Sequence, residues 1–142
     1  MRKKITIDPN EHQIQVMVCK YLDLINEPYF AIPNGANKSI GQRVKFKAEG
    51  LKSGVPDLFL PRLNLFIEMK TKTGKLSKNQ KEWFDILYEC GYSCVVAHGF
   101  EEAKKKIDYR RHEYAWKLVG AVLDNAVNLD KGRTGYMENN YE

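Results

Sequence analysis

Cysteine is scarce in this chain, and acids are scarce in its middle. Only Cys19, Cys90 and Cys94 occur among 142 residues. That odd number, with no Cys-x-x-Cys pair and no histidine at ligand spacing, speaks against a disulfide framework and against structural zinc. It suits reduced thiols in a reducing compartment. No apolar run approaches the ~20 residues of a membrane span, and Met1-Arg2-Lys3-Lys4 is not followed by a signal-peptide core. A soluble, intracellular protein without a membrane partner is expected. No internal repeat or low-complexity segment is present. What remains, 43% apolar and 29% charged residues, is ordinary globular composition, and the length suits one domain with a real core.

The shortage of acids is local. Between Lys38 and Lys81 eleven Lys or Arg stand against only Glu49, Asp57 and Glu68, a local charge of +8, while the rest of the chain comes to −3. Such a concentration of positive charge is the footprint of phosphate-backbone binding.

Inside that basic stretch lies Gly54-Val55-Pro56-Asp57, followed by Leu58 to Leu60, the turn Pro61-Arg62-Leu63-Asn64, and Leu65 to Lys70. The pattern predicts two strands joined as a hairpin. Residues two apart in a strand share a face, so Glu68 and Lys70 project together, and the hairpin returns Asp57 beside Glu68. Two carboxylates and an ammonium at one sheet edge resemble a divalent-metal site for phosphodiester hydrolysis. The plainer alternative is a same-face ion pair, with Asp57 capping a turn.

Before the hairpin, a first helix is expected to start at Asp8, with Pro9 in its first position and Ile14, Met17, Val18, Tyr21, Leu22 and Ile25 on its core face. Glu11 lies on that stripe. Its spacing fits either a capping box with Asp8 or a place in the site, and Gln15 faces the same way. A short apolar stretch, Tyr29 to Ile32, ends in the turn Pro33-Asn34-Gly35. A second helix, Ser39 to Leu51, carries Arg43, Lys45, Lys47 and then Lys52, with Ile40, Val44 and Ala48 as an apolar row and Gly50 as its stop. It is the first candidate for gripping DNA phosphates.

After the hairpin come the basic loop Thr71-Lys72-Thr73-Gly74-Lys75 and a third helix opened by Ser77, with Gln80 completing a capping box and Gly91 as the stop. Tyr92 to Ala97 reads as a strand that follows a crossover helix and so runs parallel to its partner. Phe100 to Leu123 reads as helix, with aromatics assigned to core or interface, and the last dozen residues as a frayed end. His98 and His112 are isolated and receive no catalytic assignment.

Asp57 with Glu68-Met69-Lys70 resembles the Pro-Asp…Glu-x-Lys signature of restriction-endonuclease-like nucleases. Together with Ile32-Pro33-Asn34-Gly35, Glu49-Gly50-Leu51-Lys52-Ser53-Gly54-Val55-Pro56-Asp57 and Leu76-Ser77-Lys78-Asn79-Gln80, the string is similar to the VRR-NUC domain. That family includes stand-alone phage and bacterial nucleases and the catalytic domain of the Fanconi-associated nuclease. The resemblance implies an α/β fold with a restriction-endonuclease-like core, a mixed β-sheet flanked by helices. It implies one nuclease domain over residues 1–125, with motifs in 9–98, a helical extension over 100–125 and a flexible tail over 126–142.

It further implies Mg²⁺ or Mn²⁺ held by Asp57, Glu68 and the Met69 main-chain carbonyl, with Lys70 orienting or deprotonating water. Glu11 would serve a second ion or its water, and Gln80 would orient water or phosphate. DNA would lie along Asn34, Lys38, Arg43, Lys45, Lys47, Lys52, Lys72, Lys75 and Lys78. The function expected on this basis is a metal-dependent, structure-specific DNA endonuclease without a small-molecule cofactor. A homodimer acting on four-way junctions in a bacterial or phage-infected cytoplasm is favoured, on analogy with junction resolvases. The alternatives are a flap or nicking nuclease, a non-catalytic DNA-binding module, and an anti-restriction or protein-interaction factor.

Overall fold

The computed structural model describes residues 8–33 and 39–137, with side chains through 128. Two compact units divide the chain, Met1–Ile107 and Asp108–Glu142. The first holds α1 (Glu11–Leu24), β1 (Phe30–Ala31), α2 (Ile40–Ala48), β2 (Leu58–Leu60), a 3₁₀ turn (Pro61–Leu63), β3 (Leu65–Lys70), α3 (Lys78–Glu89), β4 (Ser93–His98) and the first turns of α4 (Phe100–Met137). The four strands form one mixed sheet in the order β1-β2-β3-β4. β1 and β2, and β2 and β3, are antiparallel, while β4 lies parallel to β3 after the α3 crossover. This is the mixed α/β sheet flanked by helices that the sequence implied.

Strand alternation separates two faces. Leu58, Leu60, Leu65, Ile67 and Met69 point one way and are buried to 0% exposure, and Ile14, Val18 and Leu22 of α1 and Ala103 and Ile107 of α4 complete this aliphatic core. Fully burying aliphatic side chains of this size is worth about 1.5–3 kcal/mol each, which makes the core the main source of stability. The other face carries Phe59 and Phe66, whose rings lie 4.3 Å apart and are met edge-on by Tyr92. Further along the same face of β3 stand Glu68 and Lys70.

Three helices begin with reciprocal capping boxes, Asn10 with Gln13, Ser39 with Gln42 and Ser77 with Gln80. All three end with paired backbone bonds around a left-handed residue, at Asn26, Gly50 and Gly91. The first helix therefore starts two residues later than expected. Asn10 outcompetes Asp8 because Gln13 returns the bond to the Asn10 amide (3.0 Å), while Asp8 pairs with Lys72 at 2.7 Å. The second helix stops at Ala48, closed by Gly50 and by the Leu51 amide on the Phe46 carbonyl (2.8 Å). Its apolar row is exposed, Ile40 by 76% and Val44 by 65%, and α2 buries no residue. The helix expected to end at Leu123 continues to Met137. Among the described residues no helix is long and apolar enough to cross a membrane.

The hairpin turn is fixed at Asn64, which adopts a left-handed conformation (φ 50°) and donates its side-chain amide to the Gly91 carbonyl at 2.8 Å. Asn64→Gly keeps the backbone freedom and loses that bond, at a cost of about 1 kcal/mol. Asn64→Ala adds the left-handed strain and should cost about 1 kcal/mol more. Urea denaturation of both variants checks this; equal losses would show that the conformation at Asn64 carries no strain for alanine.

Candidate active site

The register of the β2–β3 hairpin pairs Leu58 with Ile67, and one residue further back Asp57 comes opposite Glu68. Asp57 Oδ2 accepts from the Met69 amide at 2.8 Å. On the other edge of β3 the Lys70 carbonyl accepts from the Gly99 amide at 3.0 Å. Backbone groups of successive strand residues point to opposite edges, so the Met69 carbonyl turns towards the edge where Asp57 stands. The Met69 side chain meanwhile is fully buried in the aliphatic core. One residue thus anchors the strand and presents its backbone to the site.

Glu68 is the centre of the cluster and is 2% exposed. Its Oε1 accepts from Lys70 Nζ at 2.7 Å and also from Gln80 Nε2. Its Oε2 is buried and has no hydrogen-bond partner. Burial foremost, helped by the Asp57 and Glu11 carboxylates and opposed by the Lys70 hydrogen bond, pushes Glu68 up to about 7. For Lys70 burial works against the charge, yet the Glu68 and Glu11 carboxylates outweigh it and hold the amine above the ordinary lysine value. The two carboxylates thus favour the ammonium form of Lys70.

Gln80 fills two roles at once. Its Oε1 accepts from the Ser77 amide at 2.9 Å, capping α3, while its Nε2 reaches Glu68. Glu11, freed from capping by Gln13, sets its Oε1 3.3 Å from Lys70 Nζ. Among the described residues no three His, Cys, Asp or Glu side chains converge on a single metal position. Glu11 thus stands against the ammonium, apart from the Asp57–Glu68 pair.

A cleft of about 450 Å³ is lined by the two carboxylates together with Arg43, Lys47 and Lys52. Arg43 and Lys47, one turn apart on α2, face it together. The remaining expected contacts divide differently. Lys45 pairs with Glu49 at 3.9 Å, Lys78 with Glu82 at 3.7 Å and Lys72 with Asp8 at 2.7 Å. Lys75 is exposed on the loop after β3, and Asn34 and Lys38 lie outside the described residues.

The donor set suits a hard divalent cation. Two carboxylates and a backbone carbonyl are oxygen ligands of the kind Mg²⁺ and Mn²⁺ take. A buried carboxylate oxygen with no donor is the feature such an ion would satisfy.

Two residues that carry the geometry went unassigned in the sequence. Gly54 has φ +92°, and a Cβ there would come within 2.6 Å of the Asn79 backbone carbon. It lets the loop before Asp57 close on the first turn of α3, where Gln80 resides. His98 lies in register with Lys70 across β3 and β4. In the sequence it reads as the start of the turn after a strand ending at Ala97, whereas β4 runs on to include it.

Comparison with known proteins bears on the family and the fold. The VRR-NUC domain family matches residues 4–101. A solved structure described as a VRR-NUC domain protein superimposes with a TM-score of 0.60 at 25% identity, over 72% of this chain and 88% of its own. No curated protein matches.

Gly54→Ala should lower stability by about 2–3 kcal/mol, from the strained φ and the contact with Asn79. It should also part Gln80 from Glu68, visible as a shift of the Gln80 side-chain amide in NMR spectra. A variant as stable as the parent, with that amide unmoved, would show that the loop and α3 need not touch.

Proposed function

The chain belongs to the VRR-NUC family, nucleases that process DNA, and we propose that it is a Mg²⁺- or Mn²⁺-dependent endonuclease hydrolysing phosphodiester bonds. The observation that carries this reading is the buried Glu68 carboxylate, with one oxygen held by Lys70 and Gln80 and the other without a donor. Asp57, Glu68 and the Met69 carbonyl would hold the ion. When bound, it would supply Lewis-acid stabilisation of charge on the phosphate. Lys70, kept as an ammonium, sets its charge beside the same position and offsets the negative charge that grows in the transition state. Glu11 fixes that ammonium from the outer side. Gln80 holds one Glu68 oxygen and leaves the other without a donor, for the ion to satisfy. Arg43, Lys47 and Lys52, which line the same cleft, hold the backbone by its phosphates, which positions DNA without reading its bases.

Branched DNA, four-way junctions above all, is the favoured substrate, cut by a homodimer. Two features support this reading. The described cationic wall is directed at phosphates, so selectivity falls to DNA shape. The second unit's helix leaves Trp116, Val119, Leu123 and Val127 exposed, an apolar row at helical spacing that a second copy could cover, and a two-fold dimer matches the near two-fold symmetry of a junction.

Because binding needs the Glu68 carboxylate and burial holds that group near 7, protons compete with the ion below neutrality. Mg²⁺ affinity should fall about tenfold per pH unit below 7 and level off above it. Calorimetry at pH 6, 7 and 8 checks this, and a flat profile would remove Glu68 from the ligand set.

Cleavage of labelled four-way junction, flap and linear duplex, each with Mg²⁺, Mn²⁺ or EDTA, tests the function itself. Symmetric cuts in the junction alone, abolished by EDTA and by Asp57→Ala, are expected. Equal cutting of all three substrates would discard the junction preference. Tight binding without cutting would leave a recognition module.

A further inference from the structure

His98 belongs to none of the groups so far given a role, yet it touches the segment that covers the Lys70 side chain. After β3 the chain turns at once, and the Gly74 amide donates to the Thr71 carbonyl at 3.0 Å. This turn folds back over Lys70. A Cβ built on Gly74 would lie 3.1 Å from Lys70 Cδ and 3.2 Å from Lys70 Cβ. The Gly74 backbone therefore rests on the aliphatic stem of Lys70, at a separation that only glycine allows without displacing one or the other.

His98 holds the turn in that place. Its Nε2 lies 3.0 Å from the Gly74 carbonyl, and because a carbonyl only accepts, Nε2 carries the hydrogen. The ring is itself anchored. The His98 amide donates to Glu102 Oε2 at 3.2 Å, and Nδ1 lies 3.7 Å from the same oxygen. Glu102 is fixed by Lys106, which also donates to the Val96 carbonyl at 2.6 Å. The Gly99 amide meanwhile ties β4 to the Lys70 carbonyl at 3.0 Å. A continuous set of contacts runs from α4 through His98 and Gly74 to the Lys70 stem.

We propose that His98 is a positioning residue for Lys70, clamping the Thr71–Gly74 turn onto the lysine stem so that its ammonium stays between Glu68 and Glu11. The inference rests on the reading of Lys70 as a catalytic group, and it concerns placement rather than proton transfer. Without the clamp the turn keeps its own Gly74–Thr71 bond and the exposed Lys72–Asp8 pair, neither of which presses Gly74 onto Lys70, and the four-carbon stem regains rotamers that carry the ammonium off its two carboxylates. The turn also bears Lys72 and precedes Lys75, but those side chains are exposed and do not depend on the clamp for their charge.

The test compares His98→Ala, which removes the donor, with His98→Gln, whose terminal amide puts an N–H near the place of Nε2. In His98→Ala, kcat on the DNA substrate should fall about tenfold at nearly unchanged KM, because placement and not binding is lost. His98→Gln should recover most of that loss, and Gly74→Ala should reproduce it by pushing on the stem. A second readout needs no nuclease activity. Acetylation of Lys70 by acetic anhydride, followed by mass spectrometry and referred to exposed Lys45, should accelerate several-fold in His98→Ala and return in His98→Gln. Thermal denaturation confirms that each variant is folded.

Unchanged kcat and unchanged Lys70 acetylation in folded His98→Ala would overturn the proposal. So would equal losses in His98→Ala and His98→Gln, which would mark a packing role for the ring. A wild-type protein that cuts no DNA would instead overturn the nuclease reading, and the acetylation comparison would still decide for or against the clamp.

Discussion

A carboxylate buried to 2% exposure with one oxygen lacking any donor is costly to fold, and the candidate site is arranged around it. Folding alone would favour an apolar residue at position 68, since strand β3 is otherwise aliphatic or aromatic up to that point. Burial raises Glu68 to about 7, so the isolated fold tolerates the group by leaving it partly protonated. Lys70 and Gln80 both serve the same oxygen. Were they to share themselves between the two, the site would be more stable and chemically closed. The asymmetry is what leaves one hard oxygen without a donor.

The hairpin, the shared face of Glu68 and Lys70, and the parallel strand after the crossover were legible in the sequence because each follows from a short-range rule. A strand alternates every two residues, a Pro-Arg-Leu-Asn turn reverses it, and a helix between strands returns the chain in parallel. What escaped is decided by competition or by distance. Asp8 and Asn10 are both good caps, and only Gln13, three residues beyond Asn10, settles which amide is answered. The row Ile40, Val44 and Ala48 has helical spacing, but spacing does not say whether anything lies opposite it, and among the described residues α2 buries none. His98 stands 28 positions from Lys70, and only parallel register brings the two together.

The basic cluster was visible as a count, but a count does not distinguish cations by partner. Lys45, Lys72 and Lys78 each have a carboxylate within 4.0 Å, at exposed positions where such pairs contribute about 0–1 kcal/mol. These pairs dissolve readily when a phosphate competes, so they are no barrier to DNA. Arg43, Lys47 and Lys52 differ because they line the cleft itself. On the proposed function, the distinction would separate cations that raise general affinity from those that fix where the scissile phosphate sits.

Gln80 shows how closely folding and chemistry are joined here. One side-chain amide closes the capping box of α3 and orients Glu68, so the site cannot be fully formed unless the first turn of α3 is. Gly54 presses the loop before Asp57 against that same turn through Asn79. The two metal-ligand candidates, approached from opposite directions in sequence, are therefore set by one helix start. This explains why the third helix follows β3 so soon. A longer connection would loosen the turn over Lys70 and move the Ser77 cap away from the strand end. The geometry of the cluster then follows from the spacing between Lys70 and Ser77 as much as from the identity of the charged residues themselves.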